Sequence, residues 1–284
     1  MKWQRGHKSE NVIDRRGARR RTTQVAAGGG GIVAILLTLF FGTDILGGGG
    51  VPGAGGTAAV SGATPGGAVV ADQDKELVAF VSFVIDDIQA FWAKELPRSG
   101  GTWTPAKLVL FSDEVQSACG LSSAASGPFY CPADQLAYID LGFYRVLKDR
   151  LGSPGDFAQA YVLAHEIGHH IQNITGVANR VYAARQRDPA NANALSVRQE
   201  LQADCYAGVW AHSTAQRDIL ERGDIEEGLT AASSIGDDTL QKQAGGRVRP
   251  ESFTHGSSAQ RVKWFRRGFA SGRMADCDTF SGDL

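Results

Sequence analysis

The apolar positions of "DKELVAFVSFVIDDIQAFWAKEL" recur at helical spacing, with Leu77, Phe80, Val81, Val84, Ile88, Phe91 and Trp92 on one stripe. That pattern predicts an amphipathic helix with the stripe facing the core. "AKLVLF" is a short unbroken apolar run, the pattern of a buried strand. "FYCPADQLAYIDLGF" reads as strand, turn at Pro132–Asp134, strand, and so predicts a hairpin. "FYRVLKDR" predicts a helix. "PGDFAQAYVLAHEIGHHIQNITG" predicts a long one, with Pro154 near its start and Gly176 at its end. "NANALSVRQELQADCYAGVWAHSTA" predicts a second long helix, and "DIEEGLTAASSIGDDTLQKQ" and "SSAQRVKWFRRGFASG" two more. Few strands among many helices predict an α+β domain, mostly α, with a small sheet.

The N-terminal quarter follows a different pattern. Residues 1–24 hold eight basic side chains against two acidic ones, a net charge of +6 that leaves −7 on the remainder of a chain totalling −1. "VAAGGGGIVAILLTLFFG", Val25 to Gly42, carries no charge. Its length is at the short end for a membrane-spanning helix, and its strongest part, Ile32 to Phe41, resembles a signal-peptide core. An uncleaved anchor, a cleaved signal and a core helix all fit the apolar run. The arginine-rich flank favours the anchor, with residues 1–24 a basic cytoplasmic tail and 25–46 a single transmembrane span. A nucleic-acid-binding arm is the rival reading of "RRGARRR", and the adjacent apolar run makes topology the better account. Residues 47–71, with ten glycines and no charge, read as a flexible tether. The folded domain is then 72–284, at the cell membrane on its periplasmic or extracellular side.

Cysteine usage agrees with export. Cys119, Cys131, Cys205 and Cys277 form an even set with no C-x-x-C spacing, which argues against a zinc ribbon or a thioredoxin-type site. Exported cysteines tend to pair. Cys119 and Cys131 flank a short loop and are expected to bridge; Cys205 with Cys277 follows by elimination.

Half of the chain's six histidines stand in "HEIGHH", directly after an apolar run. Residues four apart on a helix lie within about 40° of each other, so His165 and His169 project side by side and can bind one zinc ion. Glu166 points elsewhere. It is poorly placed as a ligand but able to reach a water on the metal, so H-E-x-x-H supplies two ligands and a general base for peptide hydrolysis. His170, about 140° around from His165, should not share the ion and is expected to be a surface histidine or one that supports the site from behind. Gly168 allows another element to approach this helix closely.

A third ligand is required. The extension H-E-x-x-H-x-x-G-x-x-H fails, because Gln172 and Thr175 stand where it needs glycine and histidine. A glutamate on a later helix is met by Glu200 in "RQELQADCYAGVWA". Asp204, one turn on, is expected to accept a hydrogen bond from a ligand histidine's other nitrogen. His212 and His255 are the remaining candidates, but His212 lies about three turns beyond Glu200, so the two cannot face one ion.

"VLAHEIGHHIQN", "QELQADCYAG", "THGSSAQRVKWF" and "GPFYCPADQLAYIDLGF" together resemble the bacterial neutral zinc metallopeptidase family, membrane-anchored proteins of the gluzincin style. "NVIDRRG" resembles that family's start, so the likeness covers nearly the whole chain outside the tether. The resemblance implies a zincin-like domain with H-E-x-x-H on one helix and the glutamate ligand on a second. It also implies a role for His255, beside Gly256 at a helix start, as donor to the oxyanion of the tetrahedral intermediate, with Arg261 as a supporting partner. The expected function is therefore a zinc-dependent endopeptidase using one catalytic Zn2+, with a peptide or protein substrate, a membrane contact through its N-terminal helix and no nucleic acid. The "QLAYID" strand is expected to offer the sheet edge for the substrate. The alternative is a membrane-tethered binding module that keeps its zinc site without catalysis.

Overall fold

A computed structural model describes residues 1–16 and 67–284, excepting the side chains of 67–73. The expected transmembrane span, 25–46, lies outside the described residues, as does nearly all of the expected tether. Among the described residues no helix is long and apolar enough to cross a membrane. The architecture is α+β and mostly helical.

Helix α1 (Gly67–Arg98) buries the expected stripe, with Phe80, Val81, Val84, Ile85, Ile88, Trp92 and Leu96 in the core. Its first residues belong to the stretch expected to be linker. Strands β1 (Val12–Asp14), β2 (Lys107–Phe111), β5 (Phe129–Cys131) and β6 (Leu136–Asp140) make one sheet in the order β1-β2-β6-β5. β1 and β6 run parallel to β2, and β5 antiparallel to β6. The expected hairpin is β5–β6. Its turn sets Gln135 at φ 60°, and Asp134 stabilises it by accepting from the Leu136 amide and the Tyr138 hydroxyl. Between β2 and β5 lies a separate antiparallel pair, β3 (Glu114–Ser117) and β4 (Gly120–Ser123), that periodicity did not reveal.

The helices follow: α2 (Gly142–Asp149), α3 (Asp156–Ile174), α4 (Val177–Arg187), α5 (Ala192–Gln216), α6 (Asp224–Ser234), α7 (Asp237–Gln243) and α8 (Ser258–Ser271). The long helices α3 and α5 stand where expected. α4, between them, is a helix the pattern did not predict. The single helix expected over "DIEEGLTAASSIGDDTLQKQ" is two, broken at Gly236, which is extended (φ −71°, ψ 141°) and so close to Ser258 that a Cβ would sit 2.4 Å from its amide.

Helices α5 and α8 cross backbone to backbone. A Cβ on Gly268 would lie 2.0 Å from the Cys205 carbonyl, and one on Gly208 2.1 Å from the Phe265 carbonyl. Beside this crossing the Cys205–Cys277 disulfide ties α5 to the C-terminal segment, and Cys119–Cys131 ties β5 to the turn after β3. Both pairings are the expected ones.

Two expectations are corrected. "QLAYID" is not a sheet edge: β6 is paired on both sides, by β2 and by β5, and β5 is the terminal strand. Residues 1–16 are not a free basic tail. Met1 is buried, and β1 pairs with β2 along Val12–Leu108, Ile13–Val109 and Asp14–Leu110. Apolar side chains and complementary charges on the domain give this segment a place to fold onto, which composition alone did not disclose.

Gly268→Ala should force α5 and α8 apart, at a cost of about 1–3 kcal/mol for overpacking. A thermal melt should show this as a Tm lower by roughly 2–4 °C per kcal/mol in a domain of this size.

Candidate metal centre

Helix α3 is buried on nearly every face, and its small residues let neighbours come close. Ala158, Ala160, Ala164 and Gly168 are all in the interior. Gly168 does what its position suggested: a Cβ there would lie 2.9 Å from the Ala203 Cα, so α3 and α5 touch between the two histidines. Helix α5 is buried without a break from Leu201 to Ala211, with Glu200 at the margin of that stretch. The contact brings Glu200 opposite the histidine pair.

Three atoms converge. His165 Nε2 lies 3.2 Å from His169 Nε2 and 3.1 Å from Glu200 Oε2, and His169 Nε2 lies 3.5 Å from Glu200 Oε1. A tetrahedral zinc with ligands at about 2.0–2.1 Å needs ligand–ligand separations of about 3.3 Å. The donor set therefore fits the ion in kind and in spacing, and these three residues could hold it.

Each imidazole is oriented through its other nitrogen. His165 Nδ1 donates to Asp204 Oδ1 at 2.9 Å, as the spacing of Asp204 from Glu200 suggested. Asp204 is fully buried, and Arg261 balances its charge by donating through Nε at 2.9 Å and Nη2 at 2.9 Å, with the Tyr161 hydroxyl as a further donor. His169 Nδ1 donates to Gln172 Oε1 at 2.9 Å. Gln172 donates to Gln202 at 3.1 Å, which donates to the Cys277 carbonyl at 3.0 Å. One ligand is thus braced by an ion pair and the other by an amide chain ending at the disulfide. Fixing Nδ1–H on both rings leaves both Nε2 lone pairs facing the same point.

Tyr161, Gln172 and Gln202 were not singled out from the sequence. Helical spacing could have found the first two: Tyr161 is one turn before His165, and Gln172 three residues after His169. No sequence signal marked Gln202. The other histidines are accounted for. His170 Nε2 donates to the Thr104 carbonyl at 2.6 Å and its Nδ1 accepts from Tyr130 at 3.0 Å, so it fastens α3 to β5 instead of facing the ligand atoms. His212 Nδ1 donates to the Phe269 carbonyl, in the last turns of α8. His255 is not among the three converging residues. The Asp237 carboxylate cradles its loop, accepting from the amides of Thr254, His255 and Gly256 at 2.8, 2.7 and 3.0 Å, with His255 Nδ1 3.3 Å from its second oxygen. The break before α7 positions Asp237 to do this.

Burial raises the Glu166 carboxyl above its ordinary range, while the neighbouring histidines oppose it. Burial would lower His165, but Asp204 and Glu200 outweigh it and hold the metal-free imidazole up at about 9. Burial would raise Glu200, but His169, His255 and His165 hold it well down. A groove of about 930 Å³ lined by Arg98, Arg180, Tyr206 and Phe280 contains none of the three converging residues.

Glu200→Ala should strip most bound zinc, and Asp204→Asn should weaken retention by about 10–100-fold while leaving the three ligands in place; metal analysis after dialysis measures both. Because a cation must displace the proton held on His165, zinc affinity of the metal-free protein should rise with pH up to about 9. For one proton released the change is about tenfold per pH unit, read by competitive titration.

The chain matches the family described as "Putative neutral zinc metallopeptidase" over residues 1–280. The uncharacterized protein YpfJ of Escherichia coli (strain K12) is 48% identical over 216 residues, 76% of this chain and 75% of its own length. The uncharacterized protein Rv2575 of Mycobacterium tuberculosis (strain ATCC 25618 / H37Rv) is 45% identical over 207 residues, 69% of this chain and 68% of its own length. The uncharacterized protein Mb2605 of Mycobacterium bovis (strain ATCC BAA-935 / AF2122/97) matches to the same extent. No solved structure matches the chain. With the match running from the first residue to within four of the last, the chain belongs to the family described as "Putative neutral zinc metallopeptidase".

Proposed function

We propose that the protein is a zinc-dependent endopeptidase of zincin type, acting outside the cytoplasm. The observation that carries the reading is the convergence of His165, His169 and Glu200 at 3.1–3.5 Å with Glu166, buried beside them, left out of the donor set. A structural site has no use for a spare carboxylate there, whereas hydrolysis needs a base. Two disulfides support an oxidising compartment.

When bound, zinc supplies Lewis acidity, activating a water and polarising the scissile carbonyl. Glu166 takes the proton from the water as its oxygen attacks the carbonyl carbon. It then delivers that proton to the leaving amine as the C–N bond breaks. Its raised carboxyl suits a group that must hold a proton between these two steps. His255, partly exposed and anchored by Asp237, donates to the oxyanion that develops on the carbonyl oxygen. Asp204 and Arg261 act through His165 by fixing its ring. The peptide lies along β5, the terminal strand that His170 and Asn173 fasten to the H-E-x-x-H helix through Tyr130, and main-chain hydrogen bonds hold it extended.

Glu166→Gln keeps the shape but cannot accept a proton. It should retain zinc and lose about 10²–10⁴ in cleavage rate on a peptide library. His255→Ala should also retain zinc and lower kcat more than it changes KM. Wild-type cleavage by Glu166→Gln would refute the mechanism. A zinc-loaded wild type that cleaves nothing in the library would favour the tethered binding module.

A further inference from the structure

The groove of about 930 Å³ is lined by α4, the C-terminal segment 273–280, Arg98 at the end of α1, and Gln202 and Tyr206 of α5. It includes none of His165, His169 and Glu200, and the peptidase reading makes no use of it. Its apolar lining comes from Val177, Val181, Leu195, Met274 and Phe280, with Phe280 left exposed. The C-terminal wall is fixed. Cys277 is bonded to Cys205, Arg198 donates to the Thr279 and Gly282 carbonyls, and Thr279 donates back to the Arg198 carbonyl at 2.6 Å. A wall already held in place needs little ordering when something binds against it.

Charge around the groove is one-sided. Arg98, Arg180, Arg187 and Arg273 line it against Glu95 and Asp278. Arg98 is 3.6 Å from Glu95, and Arg273 meets Asp276 at 2.9 Å. Arg180 reaches the Thr175 carbonyl at 3.4 Å, and neither it nor Arg187 has an acidic partner within ion-pair distance among the described residues. Helix α4 carries Arg180, Arg185 and Arg187 and no acid, on a chain whose residues beyond 24 total −7. Uncompensated cations on an otherwise acidic molecule attract an anionic partner. Tyr206 adds a polar handle. It is 3% exposed, and among the described residues its hydroxyl has no hydrogen-bond partner. Arg180 and Asp278, both of the groove lining, are the charges that act on it, which sets the hydroxyl at the groove. The ring is held in the interior while its polar end is free to bond a ligand.

We propose that this groove is a docking site for an acidic peptide segment of a partner protein, whose carboxylates meet the arginines and whose apolar side chains enter between them. Arg180 and Arg187 are seven residues apart on α4, about 10 Å along its axis. About three residues of an extended chain cover that distance. One chain bearing several carboxylates spans the interval, whereas one small anion does not. A nucleic acid would meet the same arginines, but Glu95 and Asp278 would repel its phosphates. A peptide can face those two carboxylates with its amide N–H groups.

Fluorescence anisotropy measures binding to the full chain with three labelled probes: a peptide alternating Glu with Leu and Phe, the same peptide with Lys in place of Glu, and an oligothymidylate. The chain carries Glu166→Gln throughout, so the probes survive and the readout does not depend on catalysis. The acidic peptide should bind, and more weakly as salt rises. Arg180→Glu combined with Arg187→Glu should weaken it at least about tenfold. Arg222→Glu, at an exposed arginine outside the groove, should leave it unchanged. Tyr206→Phe should weaken it about two- to tenfold, the worth of one hydrogen bond, without altering the rim charge. Arg180 and Arg187 are exposed, so their variants should keep the wild-type Tm and zinc content. Equal binding of the Glu and Lys peptides, binding of neither, tighter binding of the oligothymidylate, or an equal loss in Arg222→Glu would each overturn the proposal.

Discussion

Asp204 is a carboxylate removed from water, in a helical stretch that is otherwise almost wholly apolar. A charge so placed is strongly destabilising unless it is paired and its lone pairs are filled. Three groups from two other helices do this: Arg261 of α8, and His165 and Tyr161 of α3. Satisfying the charge therefore dictates how three helices meet, and the meeting sets the angle of the ligand ring. Losing Arg261 would leave Asp204 unbalanced and His165 tilted.

The backbone contacts around Asp204 serve the same end. Gly168 seats α3 on Ala203, one residue before Asp204. Gly268 seats α8 on Cys205, one residue after it, and Cys205 is bonded to Cys277. In a loop-entropy account a bridge closing 72 residues contributes about 4 kcal/mol. Here it also fixes the carbonyl at which the His169–Gln172–Gln202 chain ends. Stability and ligand geometry are held by the same few residues.

The N-terminal segment and the sheet show a different economy. β1 adds a parallel strand to β2, leaving β5 as the opposite terminal strand, beside the H-E-x-x-H helix. His170, next to a ligand histidine but turned from it, joins that strand to the helix through Tyr130. The distance between candidate base and candidate substrate strand is thus governed by an adjacent residue that H-E-x-x-H does not include.

Local pattern determined much of this protein by itself. Periodicity located α1, because one buried stripe per 3.6 residues is a property of the helix alone, and Pro154 and Gly176 bounded α3 as helix start and stop signals. The i, i+4 spacing paired His165 with His169 and Glu200 with Asp204, because helical geometry places those side chains together whatever surrounds them. Cysteine parity and spacing identified both disulfides. Only the tertiary structure decided which strand is terminal, since strand order depends on contacts between segments distant in sequence. It also decided that Gln202 and Arg261 support different ligands, that Gly236 breaks a helix so that Asp237 can hold His255, and that a basic N-terminal segment is bound where a free tail was expected. Each of these depends on a partner at least 18 residues away, as in the Asp237–His255 pair, and local periodicity carries no information at that range.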